Sequence, residues 1–543
     1  MTKTEYDYIV VGAGSAGAVL ANRLSESGEY KVLCLEAGTE GSSYFWSRVP
    51  IGMAKLINRP AVNWCFSSEP DEGSGGRRIP IPRGKMLGGS SSINGMVFVR
   101  GQPQDYDHWA QLGNRGWSYS DVLPIFKKME SYDGGSDETR GRDGILRVTD
   151  ESPDICPLHD RMIAAAEKIG IPYTKDYNGA SQEGIGITQV TINRGRRQST
   201  AYCHLDPARN RPNLTIVSGA MAETLILKDK TCHGVKYSVN GVKHEAIARR
   251  EVIVSTGSIN SPKLLELSGI GDPEILNKFS IDVKHELPGV GRNLRDHYSP
   301  RMRFTITEKG ATFNDNARGW RLAAEAIKYA ATGKGFFAMC AAPIRMYFKT
   351  REGLASPDAA IAMTPFLYES VDGQLQISKQ RGVTLNINVL RSESLGDIHI
   401  QSADPMVPPA IHFNFMSAPY DREGTVAAMR KARELFSTSP LSDVVGEEIG
   451  PGPECQSDKD MVNWIKNNAE TTYHPVGTCK MGSDNFAVVD EELKVHGIKG
   501  LRVADASIMP TLTSGNTNAP SIMIGEKCAE MILKTASTLE EAA

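Results

Sequence analysis

The segment Gly12-Ala-Gly14-Ser-Ala-Gly17 constrains this chain more than any other. An apolar run over residues 7–11 precedes it, and a stretch of helical character from 15 to about 25 follows. A second apolar run, 31–36, ends on an acid. A strand–turn–helix–strand order needs parallel strands joined by a right-handed crossover. The spacing has a chemical reason. Gly12 permits a tight turn, Gly14 lets the backbone approach a pyrophosphate, and Gly17 lets helix and strand pack closely. Phosphates then meet the positive end of the helix, whose first turn holds Ser15 and Ala16. Glu36, 19 residues beyond Gly17, is placed to accept hydrogen bonds from a ribose, with Ala37 beside it. The pattern implies an adenine dinucleotide and leaves NAD and FAD both open; the alternative is a structural glycine turn.

Length adds a second constraint. At 543 residues the chain exceeds one hydrophobic core, because cores stop growing at roughly 250–300 residues. Hydrophobic residues make up 40% and charged residues 23%, which excludes disorder and fibrous repeats. No apolar run approaches the roughly 20 residues that span a bilayer. A net charge of −3 gives no long-range pull toward nucleic acid. Nine cysteines are scattered with no C-x-x-C pair and no zinc-like spacing, so no metal site is expected. Together with a polar start and no secretory signal, they point to a reducing, cytoplasmic setting, with peripheral membrane contact left open.

Further along, 214–217, 223–228 and 233–238 read as successive strands and 251–256 as a buried one. Residues 320–331 have helical spacing ended by Gly333. Residues 397–401 and 410–414 alternate as half-exposed strands, and a last helix covers 520 to about 535. The loops 71–78 and 133–144 are rich in Gly, Asp and Arg and read as exposed connections. Residues 301–465 lack the opening strand–glycine–helix grammar, so a second, antiparallel, substrate-covering domain is expected there.

A second glycine cluster is Arg83-Gly-Lys-Met86-Leu87-Gly88-Gly89-Ser90-Ser-Ser-Ile93-Asn94-Gly95. Its backbone N–H groups can close on an anionic or carbonyl-rich ligand. From Gly84 to Asp107 this stretch resembles the first signature of the glucose–methanol–choline (GMC) oxidoreductases. Gly257-Ser-Ile-Asn-Ser-Pro262 through Gly271 resembles the second, and the Asn63-Trp64 pair and the 287–297 segment continue the likeness. The resemblance implies FAD, not NAD, and an α/β (α+β overall) fold. A Rossmann-type FAD-binding domain (1–150, 206–300, 466–543) would interleave with a substrate domain (151–205, 301–465) built on an antiparallel sheet with helices. It also implies a cofactor-contact set beyond the first motif: Trp64, Arg83, Met86, Leu87, Gly88, Gly89, Ser90, Asn94, Gly95, Met96, Val97, Ala222, Gly257, Tyr473, Asp505, Ala506, Asn516 and Thr517. Some relatives tether the flavin through a histidine just before this asparagine. Ile93 stands there and offers no nucleophile, so the FAD is expected to be non-covalent.

The same resemblance implies that His474, in Tyr473-His474-Pro475, is the general base and Asn516 its partner. The chemistry is coherent, since oxidising an alcohol removes a hydroxyl proton and a hydride. An imidazole near its ordinary pKa of about 6.5 accepts the proton, an amide steadies the alkoxide, and flavin N5 takes the hydride. Asn518 reads as the N-cap of the last helix, with Pro520 in its first turn. Cys479 reads as packing. Asp296-His297 reads as structural, because it continues the 288–291 loop. The expected activity is oxidation of a primary alcohol to an aldehyde, with oxygen or a quinone or other acceptor. The alternative is a redox-silent, FAD-containing lyase. The alcohol and the oligomeric state are not legible.

Overall fold

A computed structural model describes residues 3–41, 44–371 and 374–541. Its first sheet runs in the order Leu214–Ser218, Val32–Glu36, Lys3–Val11, Val242–Val254, Thr231–Val239, Ala220–Lys228, and Leu501–Val503 also pairs with Val242–Val254. Val32–Glu36, Lys3–Val11, Leu214–Ser218, Leu501–Val503 and the end of Val242–Val254 run parallel. In the stretches 9–11, 32–35 and 252–254 the side chains are buried and apolar on both faces, as a sheet covered by helices requires. Val242–Val254 spans 13 residues because it does two jobs. Its first half closes an antiparallel meander, and its last residues sit inside the parallel layer.

Register brings the strand ends to one level. Val11 lies beside Leu35 and Val254, and Val254 lies beside Val503. Ligands of open parallel sheets bind just beyond such carboxyl ends. Two helices begin there. Ser15–Leu24 follows the first strand, and Asn518–Glu541 packs along it. The close approach depends on two glycines. A Cβ on Gly17 would stand 1.8 Å from the Gly12 carbonyl oxygen, and one on Gly525 would stand 2.7 Å from the Ala16 oxygen.

The second sheet has six antiparallel strands in the order Val445–Gly450, Arg301–Ile306, Gly382–Val389, Ala359–Thr364, Ile344–Phe348, Gly184–Ile187. Helix Pro419–Phe436 covers one face through Val426, Met429, Ala432 and Phe436. Directly opposed residues share a face of a sheet. Arg301, Asn386, Ala362 and Arg345 therefore form one row, and Asn388, Ala360 and Tyr347 form the next row on the same face.

Three local expectations change. The last helix starts at Asn518, two residues early, and runs to Glu541. Its first-turn N–H of Ser521 goes to the Thr517 carbonyl at 3.0 Å. The Asn518 side chain does not cap its own helix but accepts from Ser15 Oγ at 2.8 Å. The 133–144 loop is not simply exposed. It wraps Arg140, which is fully buried between Glu130 (2.8 Å) and Asp176 (2.6 Å). The helix Gly319–Thr332 ends as expected, on Gly333 at φ 66°. Among the described residues no helix is long and apolar enough to cross a membrane.

Candidate active site

A cavity of about 930 Å³ lies between the two sheets, at the upper end of the roughly 300–1,000 Å³ range of small-molecule sites. One end meets the strand tips. There the wall holds Gly12, Gly14, Ser15, Ala16, Glu36, Ala37 and Ala222. Gly14 is the N-cap of its helix and has no side-chain cap, so the first helical N–H groups stay free. Glu36 accepts from Ala13 N (3.1 Å) and Gly38 N (2.8 Å). Burial pushes its carboxyl up to about 7, against the pull of those two N–H groups.

The middle of the cavity carries Arg83, Gly89, Ser90, Asn94, Gly95, Met96, Val97, Gly257, Asp505, Ala506 and Thr517, with Trp64 also on the wall. Asp505 is committed, accepting from Gly257 N (2.8 Å), Ser261 Oγ (2.6 Å) and Ser507 N (2.8 Å). Four expected contact residues are not brought to the wall. Gly17 is spent on helix–strand packing. Met86 packs with Leu56, Val62 and Ile93, and Leu87 lies in the main core. Gly88, at φ 83°, turns the loop behind Gly89.

His474 and Asn516 meet at the other end. Tyr473, at φ 69°, holds a left-handed backbone that a bulky residue rarely adopts. The strain is held from several sides. Arg83 Nη2 donates to the Tyr473 carbonyl at 2.6 Å, Tyr473 N donates to Thr471 Oγ1 at 2.8 Å, and His474 N donates to Asp296 Oδ1 at 2.8 Å. Thr471 closes the ring by donating to the other Asp296 oxygen. Burial pushes the Asp296 carboxyl up to about 7. Asn516 arrives on a loop pinned by buried Asp105, which accepts from Ser514 N and Ser514 Oγ, both at 2.7 Å. Gly515 lets that loop press on Val99, where a Cβ would stand 2.4 Å from a methyl carbon.

Hydrogen bonding fixes the protons of this pair. His297 Nε2 faces the Leu390 carbonyl at 2.9 Å, and a carbonyl only accepts, so Nε2 carries the hydrogen. Burial depresses His297 to about 4, so the ring is neutral and its Nδ1 is a lone pair. That lone pair faces His474 Nδ1 at 3.0 Å. His474 must therefore be protonated on Nδ1, also within 2.9 Å of Thr472 Oγ1. Its Nε2 is left as a lone pair, met by the Asn516 amide N–H at 2.9 Å. Burial first, then the neighbouring His297 ring and the positive charges of Arg83 and Arg345, hold His474 well below the usual histidine range. Asp296-His297 thus touches His474 directly, through its backbone N–H and its Nδ1, as well as continuing the 288–291 loop. Sequence spacing concealed this, because a strand pairing, not a motif, brings it to His474.

Arg197 is a second residue missed in the sequence. It is buried, has no acidic partner among the described residues, and donates to the Asn94 carbonyl (2.7 Å) and to Asn94 Oδ1 (2.6 Å). Met96 N also donates to Asn94 Oδ1 at 3.0 Å. Both acceptor positions of Asn94 Oδ1 are thereby occupied on the cavity wall.

Residues 6–299 and 392–525 match the two family models described as GMC oxidoreductase. An oxygen-dependent choline dehydrogenase of Photobacterium profundum is 40% identical across 98% of this chain and 93% of its own length. One from Escherichia coli O139:H28 is 41% identical across 97% and 95%. Among solved structures, formate oxidase superposes with a TM-score of 0.91 at 27% identity, covering 99% of this chain and all of that one. Pyridoxine 4-oxidase from Mesorbium loti gives 0.86 at 27% identity, covering 96% and 98%. The chain belongs to the GMC oxidoreductase family. With that family it is an FAD-dependent oxidoreductase that acts on CH–OH donors.

The residues present fit FAD. A Cβ on Gly14 or Gly257 would meet nothing within 4 Å, so both face the open channel. Ser258 Oγ and Asn260 Oδ1 are buried on the wall without a protein partner. The uncapped N-terminus of Ser15–Leu24 lies on the wall, where its partial positive charge favours a pyrophosphate.

Proposed function

We propose that this protein oxidises a primary alcohol to an aldehyde, with His474 as the base that takes the hydroxyl proton. The observation that carries this reading is that His474 keeps its Nε2 unprotonated on the cavity wall, where it accepts from the Asn516 amide at 2.9 Å, a contact an incoming hydroxyl would replace. Bound FAD supplies the acceptor for the hydride that leaves the carbinol carbon. The side chains do the rest. His474 Nε2 receives the hydroxyl proton, and its Nδ1–H stays on His297 throughout. The imidazolium so formed and the Asn516 NH₂ both donate to the alkoxide oxygen, which lowers the cost of that charge inside a buried site. Arg83 and Arg345 add positive potential around it.

The cofactor is held by the Gly12–Glu36 region at its adenosine and pyrophosphate end and by the 83–97 loop, Gly257, Asp505, Ala506 and Thr517 further along. Ile93, buried on the wall, leaves the FAD non-covalent. On this reading the cofactor sheet and the antiparallel sheet are the cores of two interleaved domains, the second formed by 151–205 and 301–465. The choline-dehydrogenase relatives support alcohol oxidation and leave the choice of alcohol to this chain's own cavity. Anaerobic mixing with a panel of primary alcohols tests the reading. A substrate bleaches the flavin band, whereas a lyase leaves it yellow.

A further inference from the structure

The substrate end of the cavity has an unusual charge balance. Among the described residues of the wall only two are carboxylates, Glu36 and Asp505, and both lie at the cofactor end with their oxygens engaged by N–H or O–H donors. Facing His474 are arginines. Arg83 is held by the Tyr473 and Pro82 carbonyls, and Arg301 is neutralised by Glu470 at 2.7 Å. Arg345 is different. It is 8% exposed and lines the cavity, and no carboxylate of the described residues pairs with it. Its one hydrogen bond is a long one to Tyr347 Oη at 3.4 Å, and its Nε has no partner.

Sheet register explains why it faces inward. Arg345 lies in the row Arg301–Asn386–Ala362–Arg345, and the adjacent row gives Asn388, Ala360 and Tyr347. Alanines between the long polar side chains leave room above the sheet. Asn388 Oδ1 is also buried without a partner. A buried guanidinium without an anion is costly unless a ligand supplies one, and its planar fork matches a carboxylate.

The aromatic walls do not offset this for a cation. Lys85 already lies over Trp64 at 4.7 Å, and Arg301 lies near Tyr368 at 5.6 Å. Phe336, Phe337 and Phe366 supply an apolar wall for a carbon body.

We propose that the substrate is a primary alcohol that also carries a carboxylate, with Arg345 holding that group on the sheet floor while the hydroxyl meets His474. The inference rests on the reading of His474 as the alcohol's base. It sets this chamber apart from one built for a quaternary ammonium alcohol.

The test uses the FAD-loaded protein and three alcohols of one shape: benzyl alcohol, 4-(hydroxymethyl)benzoate, and its 4-trimethylammonio counterpart. In kcat/KM the carboxylate should exceed the neutral alcohol by about 10-fold or more, equivalent to 1.4 kcal/mol, and the cation should be the poorest. Arg345→Met should bring the carboxylate-to-neutral ratio toward one, mainly through KM, and Arg345→Lys should recover part of it. An equal loss for both alcohols in Arg345→Met would overturn the proposal, because Arg345 would then serve only the alkoxide. So would a preference for the cation. A second measurement needs no turnover: perturbation of the flavin band by benzoate and by benzyltrimethylammonium. Tighter benzoate binding supports the clamp even if no alcohol is oxidised, and equal or tighter ammonium binding sinks it even if alcohols are.

Discussion

His297 Nδ1 stands 3.0 Å from His474 Nδ1, and only one arrangement of protons satisfies that contact. The Leu390 carbonyl claims the hydrogen of His297, so His297 accepts and His474 donates. The base is thereby turned with its unprotonated Nε2 toward Asn516 and the cavity. A histidine with no orienting partner would share its proton between two nitrogens.

Removing the orienting partner should cost turnover more than affinity. His297→Ala removes the acceptor of the His474 Nδ1–H, leaving only Thr472 there, and a hydrogen bond to the imidazolium of about 1.5–3 kcal/mol corresponds to about 10–100-fold. The expected result is a kcat loss of about that size with KM little changed, measured under saturating acceptor. A merely structural His297 would instead lower the melting temperature and leave kcat per folded, FAD-loaded molecule unchanged.

The pH profile follows from the depressed pKa of His474. A base must be neutral to act, and burial with positive neighbours keeps this one neutral well below pH 6.5. Activity in kcat/KM should therefore hold as pH falls through 6.5 and decline only in more acid solution. An acid limb centred at or above 6.5 for a substrate without its own titration there would contradict the assignment.

Two glycines of the opening motif should fail differently. Gly14 has φ −77° and open space before it, so Gly14→Ala keeps the fold and intrudes where the cofactor backbone passes. FAD content after dialysis should drop while the apoprotein melts normally. Gly17→Ala drives a methyl into the Gly12 carbonyl and should destabilise the apoprotein itself by about 1–3 kcal/mol or more. Calorimetry of the two apoproteins separates these outcomes.

Acid precipitation reports on Ile93. With a hydrocarbon at that position the yellow colour should pass into the supernatant. A yellow pellet would mean that another side chain tethers the flavin.

The legible parts of this molecule are those written in consecutive residues. The turn from Gly12 to Gly17, the acid at Glu36 and the glycine that ends the Gly319–Thr332 helix each act within a few residues of themselves. His474 and Asn516 were legible through their flanking motifs. The illegible parts are products of distant pairing. His297 reaches His474 because Tyr298–Ser299 pairs with Glu470–Thr471. Arg345 and Asn388 share a face only through the register of four strands. Arg140 looked exposed because its loop is polar, yet its charge is met by Glu130 and Asp176, which the local sequence does not reveal as partners.

The central claim is that His474 takes the proton of an alcohol as the flavin is reduced. Stopped-flow reduction of the flavin under anaerobic conditions, comparing the wild type with an FAD-replete His474→Ala protein, tests it most directly. The predicted result is rapid bleaching by a primary alcohol in the wild type and a rate about 10²–10⁴-fold lower in the variant. Equal rates would contradict the account.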